Sequence, residues 1–298
     1  MSPLNLSFLT LDVFTGVRFL GNPLAIVKIP KEAKGKLTQT QKQIIAREFN
    51  LSETVFLHEG APGEPIEINI FMVDAELPFA GHPTIGSGWY LLSQSPDVES
   101  VTLRTKAGNI HVRRGEGSIV RLRVPTNFKV HPPAAYPRTK ALQPGLKAED
   151  YVNGIDGHEA IASIVKGMTF LLLELTSEDA LARVQLASER LHAPELGDWA
   201  SFVGVYAFFR REDGVVRTRM IDGTLEDPAT GSAASTLAGW LAKQMGAGKH
   251  RIQLIQGVEM GRKSEIEVVV DIDEAGEILE IELGGEAVKV MEGSIIVE

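Results

Sequence analysis

The 298-residue chain contains no cysteine. That absence excludes disulfides, thiolate metal sites and a thiol acting as nucleophile or base. Positive charge is not in excess either: the formal charge is −9, so the chain lacks the basic stripe that a general nucleic-acid surface needs. No apolar run approaches the roughly 20 residues that span a bilayer. The first ten residues carry no basic region or cleavage pattern of a signal peptide. These absences set the expectation of a cytoplasmic protein acting on neither nucleic acid nor membrane.

Cofactor motifs are missing as well. Gly86-Ser87-Gly88 lacks the third glycine of a dinucleotide fingerprint, and Gly248-Lys249-His250 is only a fragment of a phosphate loop. No G-x-S-x-G elbow occurs, and no histidine pair has H-E-x-x-H spacing. No metal and no cofactor site is assigned. What remains is an ordinary globular composition, 44% hydrophobic and 23% charged.

Short β-rich runs recur along the chain: 11–14, 23–29, 54–58, 67–73, 101–105, 109–113 and 119–124. Residues 38–49 read as a helix, with Thr38 as N-cap, Gln41 completing a capping box, Leu37 as staple, and an apolar face of Ile44, Ile45 and Phe49. Residues 126–144, with Pro132, Pro133, Pro137 and Pro144, read as an interdomain connection. Beyond it lie strands over 168–175, 202–209, 251–255, 265–271, 278–283, 287–291 and 294–297, and a helix over 177–186.

Two segments resemble each other. His82-Pro83-Thr84-Ile85-Gly86-Ser87 matches Asp227-Pro228-Ala229-Thr230-Gly231-Ser232 at an offset of 145 residues, near half the chain. Each is followed by an apolar helical stretch with a tryptophan, Trp89 or Trp240, and each follows an acid, Glu76 or Glu226. An internal duplication of one α+β unit is the simplest reading. Proline is favoured at the first helical position, which puts His82 and Asp227 at N-caps. Helix N-termini attract anions, so two facing copies suit a carboxylate substrate, with His82 and Asp227 as a proton-transferring pair.

Each residue also has a plainer reading. Asp227 before proline serves as a cap on that motif alone, and His82 fits a structural turn. Glu53, in Asn50-Leu51-Ser52-Glu53-Thr54, is either a surface turn carboxylate or a partly desolvated acid/base. The pairing of His82 with Asp227 at the repeat offset turns the reading toward function.

At these residues the chain resembles the phenazine-biosynthesis PhzF-like isomerases, within the diaminopimelate-epimerase-like fold. The resemblance runs from Asp12-Val13-Phe14-Thr15 and Gly21-Asn22-Pro23 through Asn50-Leu51-Ser52-Glu53-Thr54 and Ala80-Gly81-His82-Pro83. It continues at Glu226-Asp227-Pro228-Ala229-Thr230-Gly231-Ser232 and ends at Gln256-Gly257 and Met260-Gly261-Arg262. It implies two pseudo-symmetric halves, each a curved, mostly antiparallel sheet around a central helix. The halves are 1–125, with 286–298 returning to it, and 126–285, with the active site in the cleft between them. It further implies Glu53 as the proton-shuttling acid/base, His82 and Asp227 as its assistants, and amides near Gly81, Gly231 and Ser232 holding a small carboxylate-bearing substrate. The prototype reaction isomerises trans-2,3-dihydro-3-hydroxyanthranilate without metal or cofactor, and members are commonly homodimers. The family's Phe-x-Pro elements are altered here, to Phe71-Met72-Val73 and Arg219-Met220-Ile221. Alternative readings are an amino-acid epimerase or racemase, ranked lower because the usual thiol pair is missing, and a non-catalytic binding protein that keeps the cleft.

Overall fold

The computed structural model describes residues 3–61 and 63–298. They form two compact units: one holds the chain up to Arg123 together with Gly284–Glu298, the other holds Val124–Leu283. The first unit contains β1 (Leu4–Val13), β2 (Asn22–Ile29), α1 (Gln39–Phe49), β3 (Thr54–His58), β4 (Ile66–Phe71), β5 (Glu76–Leu77), α2 (Gly81–Ser93), β6 (Ser100–Thr105), β7 (Gly108–Arg114) and β8 (Val120–Arg123). The second contains β9 (Lys129–Ala135), α3 (Pro137–Ala141), β10 (His158–Val165), β11 (Met168–Glu174), α4 (Glu178–Ala182), β12 (Phe202–Arg210), β13 (Val216–Asp222) and β14 (Leu225–Asp227). It continues through α5 (Gly231–Met245), β15 (Gly248–Gln256), β16 (Ser264–Ile272) and β17 (Ile278–Gly285), after which β18 (Ala287–Val297) completes the first unit.

Both units are built to one plan. In the first, β1 pairs antiparallel with β2 and β2 parallel with β3; β3 and β4 are antiparallel, β4 and β6 parallel, β6 and β7 antiparallel, and β5 lies on β4. In the second, β10 to β16 repeat this order and these directions one for one, with β14 lying on β13. α1 and α4 occupy the same crossover, and α2 and α5 the same place after the short strand. β18 adds to β1 as β9 adds to β10. The duplication is therefore real, but its register is not the one expected. The helices begin at Gly81 and Gly231, 150 positions apart, so Glu76, Pro78 and Gly81 correspond to Glu226, Pro228 and Gly231. His82 corresponds to Ser232, and Asp227 to Leu77. His82 and Asp227 are not equivalent, and neither is an N-cap: the caps are Ala80 and Thr230.

The central helix is what each sheet wraps. α2 carries no charged residue, is buried from His82 through Gly88, and touches β1, β2, β3, β6, β7, β8 and β18. A helix buried all round needs small residues where strands come closest. A Cβ on Gly86 would lie 2.6 Å from Leu24 and 2.9 Å from Val13; one on Gly88 would lie 2.5 Å from Val112. In the second unit a Cβ on Gly239 of α5 would lie 2.6 Å from the Phe128 ring.

Local chemistry explains most element boundaries. Thr38 caps α1, and its capping box with Gln41 is fully formed. Asn50 ends the helix at φ 51°, the left-handed cap that asparagine tolerates. Leu37, Ile45, Ala46 and Phe49 pack on Leu6, Val27, Phe56 and Phe71. Ile44, expected on this face, is 57% exposed, because the buried stripe runs through Ala46 instead. The connection expected over 126–144 holds β9 and α3. Pro132 and Pro133 are accommodated where the β9–β10 register shifts, between Glu159 and Ile161, a bulge at which missing N–H donors are tolerated. The helix expected over 177–186 keeps its Ser177 cap but stops at Ala182. Past the Arg183 cap, the Gln185 N–H turns to the Gln143 side chain instead of to a helical carbonyl. The two expected terminal strands are one strand, β18, with an irregularity opposite Thr10 and Leu11, and Gly293 leaves room for the facing Phe8 ring. Among the described residues no helix is long and apolar enough to cross a membrane.

One charged pair is buried in the second unit. Lys140 Nζ lies 2.6 Å from Glu159 Oε1, with the side chains 1% and 0% exposed. The ammonium also donates to the Gly154 and Gly157 carbonyls, and Asn153 donates to Glu159 Oε2. Such a pair is costly to break singly, because one charge is left alone in low dielectric.

In an exposed helix Gly→Ala is stabilising by about 1 kcal/mol. Here Gly86→Ala and Gly88→Ala are expected to destabilise instead, by about 1–3 kcal/mol, because the strands must move. Urea unfolding of the two variants checks the sign.

Candidate active site

The first unit brings Glu53 and His82 together. Glu53 follows the left-handed Asn50 cap and precedes β3. Strand alternation places Val55 and Leu57 on the α2 side of the sheet, opposite Phe56, which packs under α1. Extending that alternation back one step turns Glu53 toward the start of α2. There His82 occupies the second helical position, and its Nδ1 lies 3.3 Å from Glu53 Oε2. The side chains are 5% and 14% exposed.

Burial sets the protonation of His82. It pushes the imidazole pKa from 6.5 down to about 3, a backbone bond to Pro23 opposing the shift only in part. The ring is therefore neutral at pH 7. A carbonyl can only accept, so the nitrogen facing Pro23 carries the single proton. Nε2 is buried without a hydrogen-bond partner, which identifies the protonated nitrogen as Nδ1. His82 thus donates its one N–H to Pro23, with Nδ1 lying beside Glu53 Oε2, and keeps a bare lone pair on Nε2. Ser52 reaches the Asn22 side chain at 3.3 Å, tying the Glu53 segment to the start of β2.

Gly81 is the first residue of α2, and its amide and that of His82 are first-turn donors; Pro83 has none. In the second unit Gly231 and Ser232 open α5 in the same way. Asp227 lies at the end of β14, before that helix. Thr230 donates to Asp227 Oδ2 at 2.5 Å, and Gln256 donates to the Asp227 carbonyl at 2.7 Å. The acid one place earlier is structural in both units. Glu226 forms a two-pronged ion pair with Arg219, and Glu76 pairs with Lys106. Sequence reasoning assigned no contact role to Thr230 or Gln256. The visible signal was Gly257 after Gln256. It sits at φ +74°, and a Cβ there would lie 2.6 Å from the Pro228 carbonyl, a close approach that only glycine allows.

The family described as "Phenazine biosynthesis-like protein" matches residues 11–293. An uncharacterized isomerase of Mesorhizobium japonicum is 33% identical, the match covering 98% of this chain and 99% of that protein. The trans-2,3-dihydro-3-hydroxyanthranilate isomerase of Pseudomonas fluorescens is 30% identical over 97% of this chain and 99% of its own. A PhzF-family protein of Bacillus anthracis, 22% identical, superimposes with a TM-score of 0.82 over 99% of this chain and 100% of that one.

The lowered histidine pKa links folding to pH. Above 6.5 the imidazole is neutral folded and unfolded, and its contribution to stability is complete. As pH falls below that value the unfolded chain binds a proton that folded His82 refuses, so stability is lost down to about pH 3. The full loss is of the order of 5 kcal/mol. Urea unfolding across this window is expected to show a shallower decline for His82→Asn than for the parent protein.

Proposed function

The chain belongs to the phenazine biosynthesis-like family of isomerases, and we propose that it shifts a proton between two carbons of a small carboxylate-bearing substrate. Glu53 is the acid/base. Its carboxylate takes the proton from one carbon and, as the carboxylic acid, returns it to another; the bonding electrons stay on the substrate, and no atom is gained or lost. The observation that carries this reading is the contact between Glu53 and a buried, neutral His82. A neutral imidazole 3.3 Å from the carboxylate packs against it without the strong charge pairing that would blunt it as a base. Desolvation around both groups strengthens their interactions with a reacting substrate.

First-turn amides at Gly81, Gly231 and Ser232 are assigned to the substrate carboxylate, because helix N-termini favour anions. Asp227 is assigned to the same reaction, on the family resemblance and on the polarity of its hydrogen bonds. The relative from Pseudomonas fluorescens is named for trans-2,3-dihydro-3-hydroxyanthranilate, which supplies the first substrate to try. The altered Phe71-Met72-Val73 and Arg219-Met220-Ile221 segments are where a different substrate preference would originate.

Incubation of this compound and related cyclic carboxylates in deuterium oxide, followed by NMR, tests the reading. Glu53→Gln is expected to slow isomerisation and label uptake by about 10²–10⁴-fold. Binding measured by calorimetry stays within a few-fold. Undiminished exchange in that variant would remove Glu53 from the mechanism.

A further inference from the structure

A buried chain of side chains reaches Asp227 from the side of the sheet. Tyr206 of β12 and Gln256 of β15 are both fully buried. Thr230 is the N-cap of α5, yet its hydroxyl does not cap the helix. Gln256 Oε1 accepts from the Thr230 backbone N–H at 3.3 Å, and Gln256 Nε2 donates to the Asp227 backbone carbonyl at 2.7 Å. These backbone groups have fixed roles, so they fix the amide: a flipped side chain would set donor against donor and acceptor against acceptor.

The second Nε2 hydrogen is donated to Thr230 Oγ1 at 3.1 Å. With that lone pair occupied, the Thr230 hydroxyl donates its own proton to Asp227 Oδ2, at 2.5 Å. At the other end Tyr206 donates to Gln256 Oε1 at 2.9 Å, with Thr218 Oγ1 3.0 Å from the same hydroxyl. Burial, with the Asp227 charge adding to it, holds the tyrosine in its protonated form. The adjacent charges Glu226 and Arg219 are spent on each other. Gly257, packed against the Pro228 carbonyl, keeps Gln256 close to the turn between Asp227 and Thr230.

We propose that Gln256, acting through the Thr230 hydroxyl, is a positioning residue that holds the Asp227 side chain in its charged, proton-accepting form. The network stands on its own geometry; its importance for catalysis rests on the reading that Asp227 acts in the reaction. Bonds donated to a carboxylate favour its ionised state. A glutamate at position 256 cannot donate to the Asp227 carbonyl or to Thr230, and it redirects the threonine hydroxyl to itself.

The test follows the carboxyl ¹³C signal of Asp227 against pH in protein labelled at aspartate. Asp227→Asn serves to assign the signal. Thr230→Val and Gln256→Glu are each expected to move its titration upward by about one pH unit, a typical size for loss of one bond to a carboxylate. Thr230→Ser, which keeps the hydroxyl, leaves it in place. An unmoved titration in Thr230→Val overturns the proposal, and that variant suffices if Gln256→Glu does not fold. Deuterium exchange into trans-2,3-dihydro-3-hydroxyanthranilate by Asp227→Asn separates the two readings. Exchange at the parent rate, with the titration moved in Thr230→Val, leaves the network standing and removes Asp227 from the chemistry.

Discussion

Everything in either unit depends on a helix enclosed by its own sheet. Such a helix leaves little room for charge, none in α2 and only Lys243 in the last turn of α5, and little room for side chains. Gly86, Gly88 and Gly239 mark the closest approaches. The polar capacity of the helix is thereby concentrated in its first turn, where N–H groups have no partner within the helix. A short strand delivers the chain to that turn in both units, and the acid on that strand is anchored by a base, Lys106 or Arg219. The candidate residues sit at element ends: Glu53 immediately before β3, His82 in the first turn of α2 and Asp227 at the end of β14.

The same scaffold serves different chemistry in its two copies. In the first, burial strips His82 of its charge and leaves a neutral ring against Glu53. In the second, the Thr230 hydroxyl donates to the Asp227 carboxylate, and the Gln256 amide donates to that hydroxyl and to the Asp227 backbone carbonyl. One copy thus favours the neutral form of a base and the other the charged form of an acid, and the choice is set by desolvation against donated hydrogen bonds.

How much of this was legible in the sequence varied with the range of the interaction. The α1 capping box was readable because every participant lies within four residues. β3, β11 and β12 were readable from continuous β-branched and aromatic runs. β10 and β13 were not expected, since Glu159, Arg217 and Arg219 interrupt their patterns, and those charges are buried only because partners arrive from elsewhere in the chain. The duplication was detected in the wrong register, 145 instead of 150. Proline is tolerated both in the first turn of a helix, as Pro83, and in the approach to one, as Pro228, so a shared Pro-x-x-Gly-Ser string does not mark a shared place. Glu53 and His82 were singled out separately, and only the packing of α2 beside the start of β3 brings them to 3.3 Å. Apart from Gly257, nothing local marked the contacts of Thr230 and Gln256, because they depend on a pairing between β13 and β15.

The placement of β18 bears on the order of events during synthesis. The second unit is a single stretch, Val124–Leu283, and has all its strands as soon as that stretch leaves the ribosome. The first unit is made of two pieces, and β1 lies against β18 with Phe8 facing Gly293 across nearly the whole chain. The earlier-made half therefore carries an unpaired strand edge until β18 emerges, and it closes after the half that follows it. Its waiting edge is an opening for chaperones and for misplaced pairing with another nascent chain.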